Sequence, residues 1–227
     1  MIARPACRCA APLSLILVLL ALLLPVQARA EPLRINGVTF SDELGGFQIT
    51  GASGSGTIQD PFVLHEEITS AEDAVLVIKD IDTNFGNRVG THHAFAFVLT
   101  KVVTNRTPRA WTRFALEVRE VLGSYSPYGD GLSFGQASTV GRPYTSNGFT
   151  TNTEIEEPYD SLEFSGGRIE PGASVSMTFV ISDASPEKLF YLLQQPGQVM
   201  AQVPGMQIAQ RASKLAIVDG VEPPYTH

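Results

Sequence analysis

Apolar and polar residues alternate with a period of two along most of this chain. That period is the spacing of side chains on the two faces of a β-strand. The most regular case is residues 174–182. Val175, Met177, Phe179 and Ile181 alternate there with Ser174, Ser176, Thr178 and Ser182, which predicts a strand with one face in a core and hydroxyls on the other. Residues 94–121 are the stretch around which the rest of the chain is organised. Phe95, Phe97, Leu99 and Val103 alternate with Ala96, Val98, Thr100 and Val102, so both faces are largely apolar. Phe114, Leu116 and Val118 alternate with Arg113, Glu117 and Arg119, giving one buried and one wet face. Between them, Asn105, Arg106, Thr107, Pro108 and Arg109 favour a bend. The pattern predicts a hairpin at the centre of a sandwich core.

Further strands are expected at residues 33–40, 47–50, 62–68 and 74–81, the last apolar on both faces and so central. The glycine-rich connector 51–56 has no lysine and no helix signal behind it, so it is no phosphate loop. Residues 123–153 are polar and aromatic with few aliphatics, and a loop of that length is functional, mobile or partly stranded. Leu162 and Phe164 restore the alternation; Gly166-Gly167 and Pro171-Gly172 frame a turn. Ser185-Pro186-Glu187 fits a helix start, and Leu189, Leu192 and Leu193 have helical spacing, but Phe190-Tyr191-Leu192 fits a strand equally well. Residues 199–217 read as mixed, with one or two edge strands, and 221–227 as a frayed tail. The expected fold is all-β: an antiparallel β-sandwich of immunoglobulin-like or jelly-roll type, with at most one short helix near 186–194, forming a single domain over 31–220.

Residues 1–30 read as a signal peptide. Arg4 and Arg8 precede an apolar run over residues 13–24, too short to span a membrane, and Ala28-Arg29-Ala30 offers a cleavage site. The mature chain is expected to begin at Glu31, secreted or periplasmic. Both cysteines, Cys7 and Cys9, lie in this leader, leaving the mature chain without disulfide, thiol nucleophile or thiolate metal site. Losing Arg4, Arg8 and Arg29 takes the net charge from −7 to −10, which disfavours nucleic acid or an anionic membrane surface as partner.

Asn105-x-Thr107-x-x-x-Trp111-x-x-Phe114-x-Leu116 resembles the strand–turn–strand of secreted bacterial immunoglobulin-like β-sandwich domains, including those of envelope proteins sorted by a C-terminal Pro-Glu-Pro anchor. The run Ile169-Glu170-Pro171-Gly172-Ala173-Ser174-Val175 is similar to the Pro-Gly strand entry of such domains. The resemblance implies a fold and an envelope address, and no catalytic residue. Glu222-Pro223-Pro224 has no apolar helix or basic run behind it, so no transmembrane anchor is expected in the mature chain.

Candidate chemistry is sparse. Asp80, Asp82 and Asn84, ahead of Gly86, present oxygens at alternate positions and are the candidate calcium ligands. The glycine comes one position late and Thr91 stands where a bidentate Glu would, so ordinary turn acids are the competing reading. His92 and His93, adjacent on an extended segment, point to opposite faces and do not chelate together. Glu154, Glu156, Glu157 and Asp160 form an acidic stretch, read as a solvated loop or as glycosidase carboxylates. Tyr125, Tyr128, Tyr144 and Tyr159, with Phe149, are candidate ligand-stacking residues, or cover for the core edge. Asn105-Arg106-Thr107 matches a glycosylation acceptor. No Gly-x-Ser-x-Gly elbow is present. The expected function is an exported, non-enzymatic binding or structural module with a protein or glycan partner and no cofactor beyond calcium. The alternative is a carbohydrate-active enzyme or carbohydrate-binding module using the 123–160 region.

Overall fold

A computed structural model describes residues 31–127, 129–135, 144–155, 159–185 and 187–197. The described chain runs through β1 (Leu33–Ile35), β2 (Val38–Ser41), β3 (Phe47–Ser53), β4 (Phe62–Ile68), β5 (Ala74–Lys79), β6 (Phe95–Asn105) and β7 (Trp111–Arg119). It continues through β8 (Leu132–Ser133), β9 (Thr145–Ser146), β10 (Thr151–Ile155), β11 (Ser161–Ile169), β12 (Ser174–Asp183) and β13 (Leu189–Gly197). One sheet has the order β1-β2-β5-β13-β7-β11-β10; the other has β3-β4-β6-β12-β8, with β9 also on β12. Pairing is antiparallel except between β4 and β6, which run parallel with Phe62 opposite Leu99 and Ile68 opposite Asn105. The protein is a β-sandwich, and no helix occurs among the described residues.

The core is the sum of the inward faces. Phe62, Leu64 and Ile68 of β4, Phe97, Leu99 and Val103 of β6, and Val175, Met177, Phe179 and Ile181 of β12 line one side. Phe40, Leu76, Ile78, Phe114, Leu116, Val118, Phe190 and Leu192 line the other. Rings meet edge-on at its centre: Phe62 lies 5.5 Å from Phe40 and 5.6 Å from Phe97, and Phe95 lies 5.4 Å from Phe97. Such contacts add to the stabilisation from burial alone.

Several expectations change. β6 and β7 are not a hairpin. β6 pairs with β4 and β12, whereas β7 pairs with β13 and β11 in the opposite sheet. The bend at 106–110 is therefore an arch that carries the chain from one sheet to the other. Asn105 and Thr107 are buried inside it. Asn105 Nδ2 donates to the carbonyls of Arg109 (2.8 Å) and Ile169 (3.1 Å), and its Oδ1 accepts from Thr107 N (2.9 Å) and Thr107 Oγ1 (2.7 Å). The glycosylation acceptor read from the sequence is thus a shielded structural amide.

Residues 33–40 are two strands rather than one. Asn36 (φ 41°) and Gly37 (φ 89°) form the two-residue turn between β1 and β2, the Asn-Gly signal of a tight hairpin. A Cβ on Gly37 would lie 2.8 Å from Asp82 Oδ2. Gly166-Gly167 forms no turn; the register of β11 against β7 shifts between Ser165 and Ile169, a bulge within one strand. Residues 189–197, where helix and strand readings competed, form β13. It sits between β5 and β7 and directs Phe190, Leu192 and Gln194 inward. The outer face of β7 is not wet along its length, since Glu117 and Arg119 are buried. Residues 1–30 and 198–227, with the leader, the edge strands expected at 199–217 and the tail, lie outside the described residues.

Phe97 and Phe179 are fully buried on neighbouring strands. Replacing either by alanine is expected to destabilise the fold by roughly 3–5 kcal/mol in chemical denaturation. A loss below about 1 kcal/mol would mean that these side chains do not pack in the core.

Candidate functional site

The proposed calcium loop is built around arginines. Asp80 lies just beyond β5 in the left-handed region (φ 51°). Its carbonyl accepts from Arg34 Nη1 at 2.9 Å, and Asp82 Oδ1 accepts from Arg34 Nη2 at 2.6 Å. Phe85, which stands where a calcium loop would have its glycine, is a core residue 4.9 Å from Phe95. The Arg88 guanidinium stacks 3.5 Å from the Phe85 ring and donates to the carbonyls of Ser55 and Asn36. Beyond it, Asn87 Oδ1 accepts from the backbone of Val89 and Gly90, while Nδ2 donates to the carbonyls of Thr91 and His93. This seats Val89 on Ala96, Val98 and Val180 on the outer face of the second sheet. His93 is half-buried, which lowers its pKa against the opposing pull of Asp183. Among the described residues no group of three or more His, Cys, Asp or Glu is arranged to hold a metal.

The candidate tyrosines separate into two contacts. Tyr125 stacks on Tyr159 at 5.2 Å, and the Arg119 guanidinium lies 5.1 Å from the Tyr125 ring. Arg119 is held in turn by Glu117 Oε1 (2.7 Å) and the Leu122 carbonyl (2.9 Å). Tyr159 is buried and Tyr125 half-buried, so the stack covers the outer face of β7 and offers one partly open ring. Tyr144 packs against the core, donating to Phe134 O and lying 2.9 Å from Glu154 Oε1. Tyr128, Glu156 and Glu157 lie outside the described residues. Asp160 is buried and Glu154 half-buried, so these two acids are not simply solvated.

A second acidic group, unnoticed in the sequence, gathers where β7 and β12 end. Burial, reinforced by the charges of Asp130, Asp183 and Glu187, pushes Glu120 up to about 7. Asp183 is also raised, chiefly by burial, although the backbone N–H groups of Ser185 and Glu187 donate to it. These acids are scattered over 68 positions of sequence (120 to 187) and only the fold assembles them.

The most unusual chemistry lies in the core. Glu66 and Lys101, both wholly buried, form an ion pair through Lys101 Nζ and Glu66 Oε1. Gln194 approaches the Glu66 carboxyl from β13 without completing a hydrogen bond to it. Burial raises the pKa of Glu66 and lowers that of Lys101, each opposed by the partner's charge. Glu66 Oε2 and both amide atoms of Gln194 make no hydrogen bond. The signal was present in the alternation. Lys101 continues the inward series Phe97, Leu99, and Glu66 the inward series Phe62, Leu64. A charge in an apolar register is a buried charge.

Two solution measurements follow. With Arg34 on the Asp80 and Asp82 oxygens, the melting temperature is expected to be equal in excess calcium and in chelator; a calcium-dependent rise abolished by Asp82→Ala would place the cation there. Glu120 binds its proton more tightly in the folded state, so its contribution to stability is present below about pH 4.5 and is lost as pH rises through about 7. Glu120→Gln should therefore raise the melting temperature at pH 8 relative to wild type and have little effect at pH 4. An equal effect at both values would contradict this.

Comparison of the chain with known protein families, curated proteins and solved structures finds no match.

Proposed function

We propose that this chain is an exported, non-enzymatic β-sandwich that serves as a binding or structural module of the cell envelope or extracellular space. The observation behind this reading is how its polar groups are used. Arg34, Arg88, Asn87, Asn105 and Arg119 each fasten a loop or strand end to the sandwich. The Tyr125–Tyr159 stack on Arg119 gives the loop after β7 an ordered aromatic surface, of the kind that anchors a protein partner or a sugar ring. The leader pattern over residues 1–30 supports export, and the resemblance to secreted envelope domains supports the address. No described helix is long and apolar enough to cross a membrane.

The second reading is a carbohydrate-active enzyme or carbohydrate-binding module. The contact between Tyr144 and Glu154 favours it, because an acid beside an aromatic is the raw material of a sugar site.

N-terminal sequencing of the exported protein should begin at Glu31-Pro32-Leu33; a mature chain retaining Cys7 and Cys9 would contradict export by cleavage. Tyr125→Ala is expected to weaken glycan or partner binding on the order of tenfold or more, as loss of an aromatic anchor does, with the melting curve serving as the check on folding. Binding unchanged in a folded variant would remove this surface from the proposal. Sugar hydrolysis that Glu154→Gln abolishes would establish the enzyme instead.

A further inference from the structure

Lys101, Glu66 and Gln194 enter the core from three strands and both sheets. Lys101 belongs to β6 and Glu66 to its parallel neighbour β4, while Gln194 comes from β13 across the sandwich. Packed sheets lie ~10 Å apart, about the combined reach of an extended lysine and an extended glutamine. All three side chains are shut off from solvent. The carboxyl of Glu66 is common to both contacts, with Lys101 Nζ on Oε1 and the Gln194 carboxamide beside it. Glu66 Oε2, Gln194 Oε1 and Gln194 Nε2 are left without hydrogen bonds, which is costly in a core. The site thus holds an amine, a carboxyl and a carboxamide, dry and convergent, in an arrangement that noncovalent contacts leave incomplete.

We propose that Lys101 and Gln194 become joined by an isopeptide bond between Lys101 Nζ and Gln194 Cδ, with Glu66 carrying the protons. Proton transfer from the Lys101 ammonium to the Glu66 carboxylate leaves a neutral amine and a carboxylic acid. The amine lone pair attacks Gln194 Cδ, and the acid donates a hydrogen bond to the carbonyl oxygen as charge develops there. The proton released by Nζ passes through Glu66 to the amide nitrogen. The Cδ–Nε2 bond then breaks and ammonia departs. Atoms and charge balance: an ammonium, a carboxylate and a primary amide become a secondary amide, a carboxylic acid and ammonia, with no oxidant or external reagent.

The environment favours the change. Burial disfavours both charges of the ion pair, raising Glu66 and lowering Lys101, and the reaction removes both charges from the core. It also consumes the unpartnered carboxamide nitrogen. The product ties β6 to β13, and so one sheet to the other, in a chain whose cysteines both fall in the leader. The covalent tie would constrain the unfolded chain much as a disulfide does.

The test is the intact mass of the folded, purified protein together with its peptide map. The protein should be lighter than its sequence by the mass of one ammonia, and digestion should yield a branched peptide containing both Lys101 and Gln194, with no tryptic cleavage after Lys101. Lys101→Met and Gln194→Leu should each restore the full mass. The wild-type result stands even if these variants fail to fold. A wild-type protein of full sequence mass with a linear Lys101 peptide would overturn the proposal. So would loss of one water with Lys101 joined to Glu66.

Discussion

The sandwich depends on one buried carboxamide. Asn105 ends β6 at the point where the chain must leave one sheet for the other, and all its polar groups are used. Besides its four side-chain contacts, its backbone N donates to Ala173 O at 2.9 Å and its carbonyl accepts from Gly172 N at 2.6 Å. These partners lie in another sheet-crossing connection, from β11 to β12. Thr107 Oγ1 passes the network on to Trp111 Nε1 at 3.2 Å, and Trp111 packs edge-on against Phe114 at 5.7 Å. Two of the sheet crossings, β6–β7 and β11–β12, are thereby tied together by one residue, and the arch polar groups that a buried turn would leave stranded find partners. The segments 105–116 and 169–175 are far apart in sequence and meet at this amide.

With the two sheets fixed in this way, charges are sorted by the fold. Those at the edges are ordinary exposed pairs such as Arg168–Glu170, worth little on their own. Those forced inside have consequences. Glu66 and Lys101 face each other in the core because β4 and β6 are parallel neighbours with both residues in the inward register. Buried Asp183 and half-buried Glu120 and Asp130 crowd one another where β7 and β12 end, with exposed Glu187 beside them. The interior of this protein therefore contains more chemistry than its loops advertise.

Much of the fold was legible. β12 and β4 show clean period-two alternation, and β5 is apolar on both faces, which placed it inside the sheet correctly. What failed was pairing. A polar bend between two apolar strands looks the same whether the strands pair with each other or arch between sheets, because the hydrogen bonds that decide it come from elsewhere in the chain. The Asn36-Gly37 pair is a readable turn signal that splits the 33–40 alternation into two strands. The candidate site was less legible. Asp82 and Tyr159 are engaged by Arg34 and Tyr125 from distant segments, which no local spacing announces. Lys101 and Glu66, by contrast, were visible as interruptions of an inward apolar series.

The most direct test of the architecture is equilibrium denaturation of Asn105→Ala. Removing the carboxamide strands the Thr107 N–H and takes a donor from the Ile169 carbonyl inside the fold, while the Arg109 carbonyl keeps Thr107 Oγ1; each orphaned buried group costs about 1–3 kcal/mol. A loss of roughly 3 kcal/mol or more is predicted, with an unchanged denaturant slope. A loss below about 1 kcal/mol, the level of an ordinary surface substitution, would contradict the claim that this one side chain holds these two crossings.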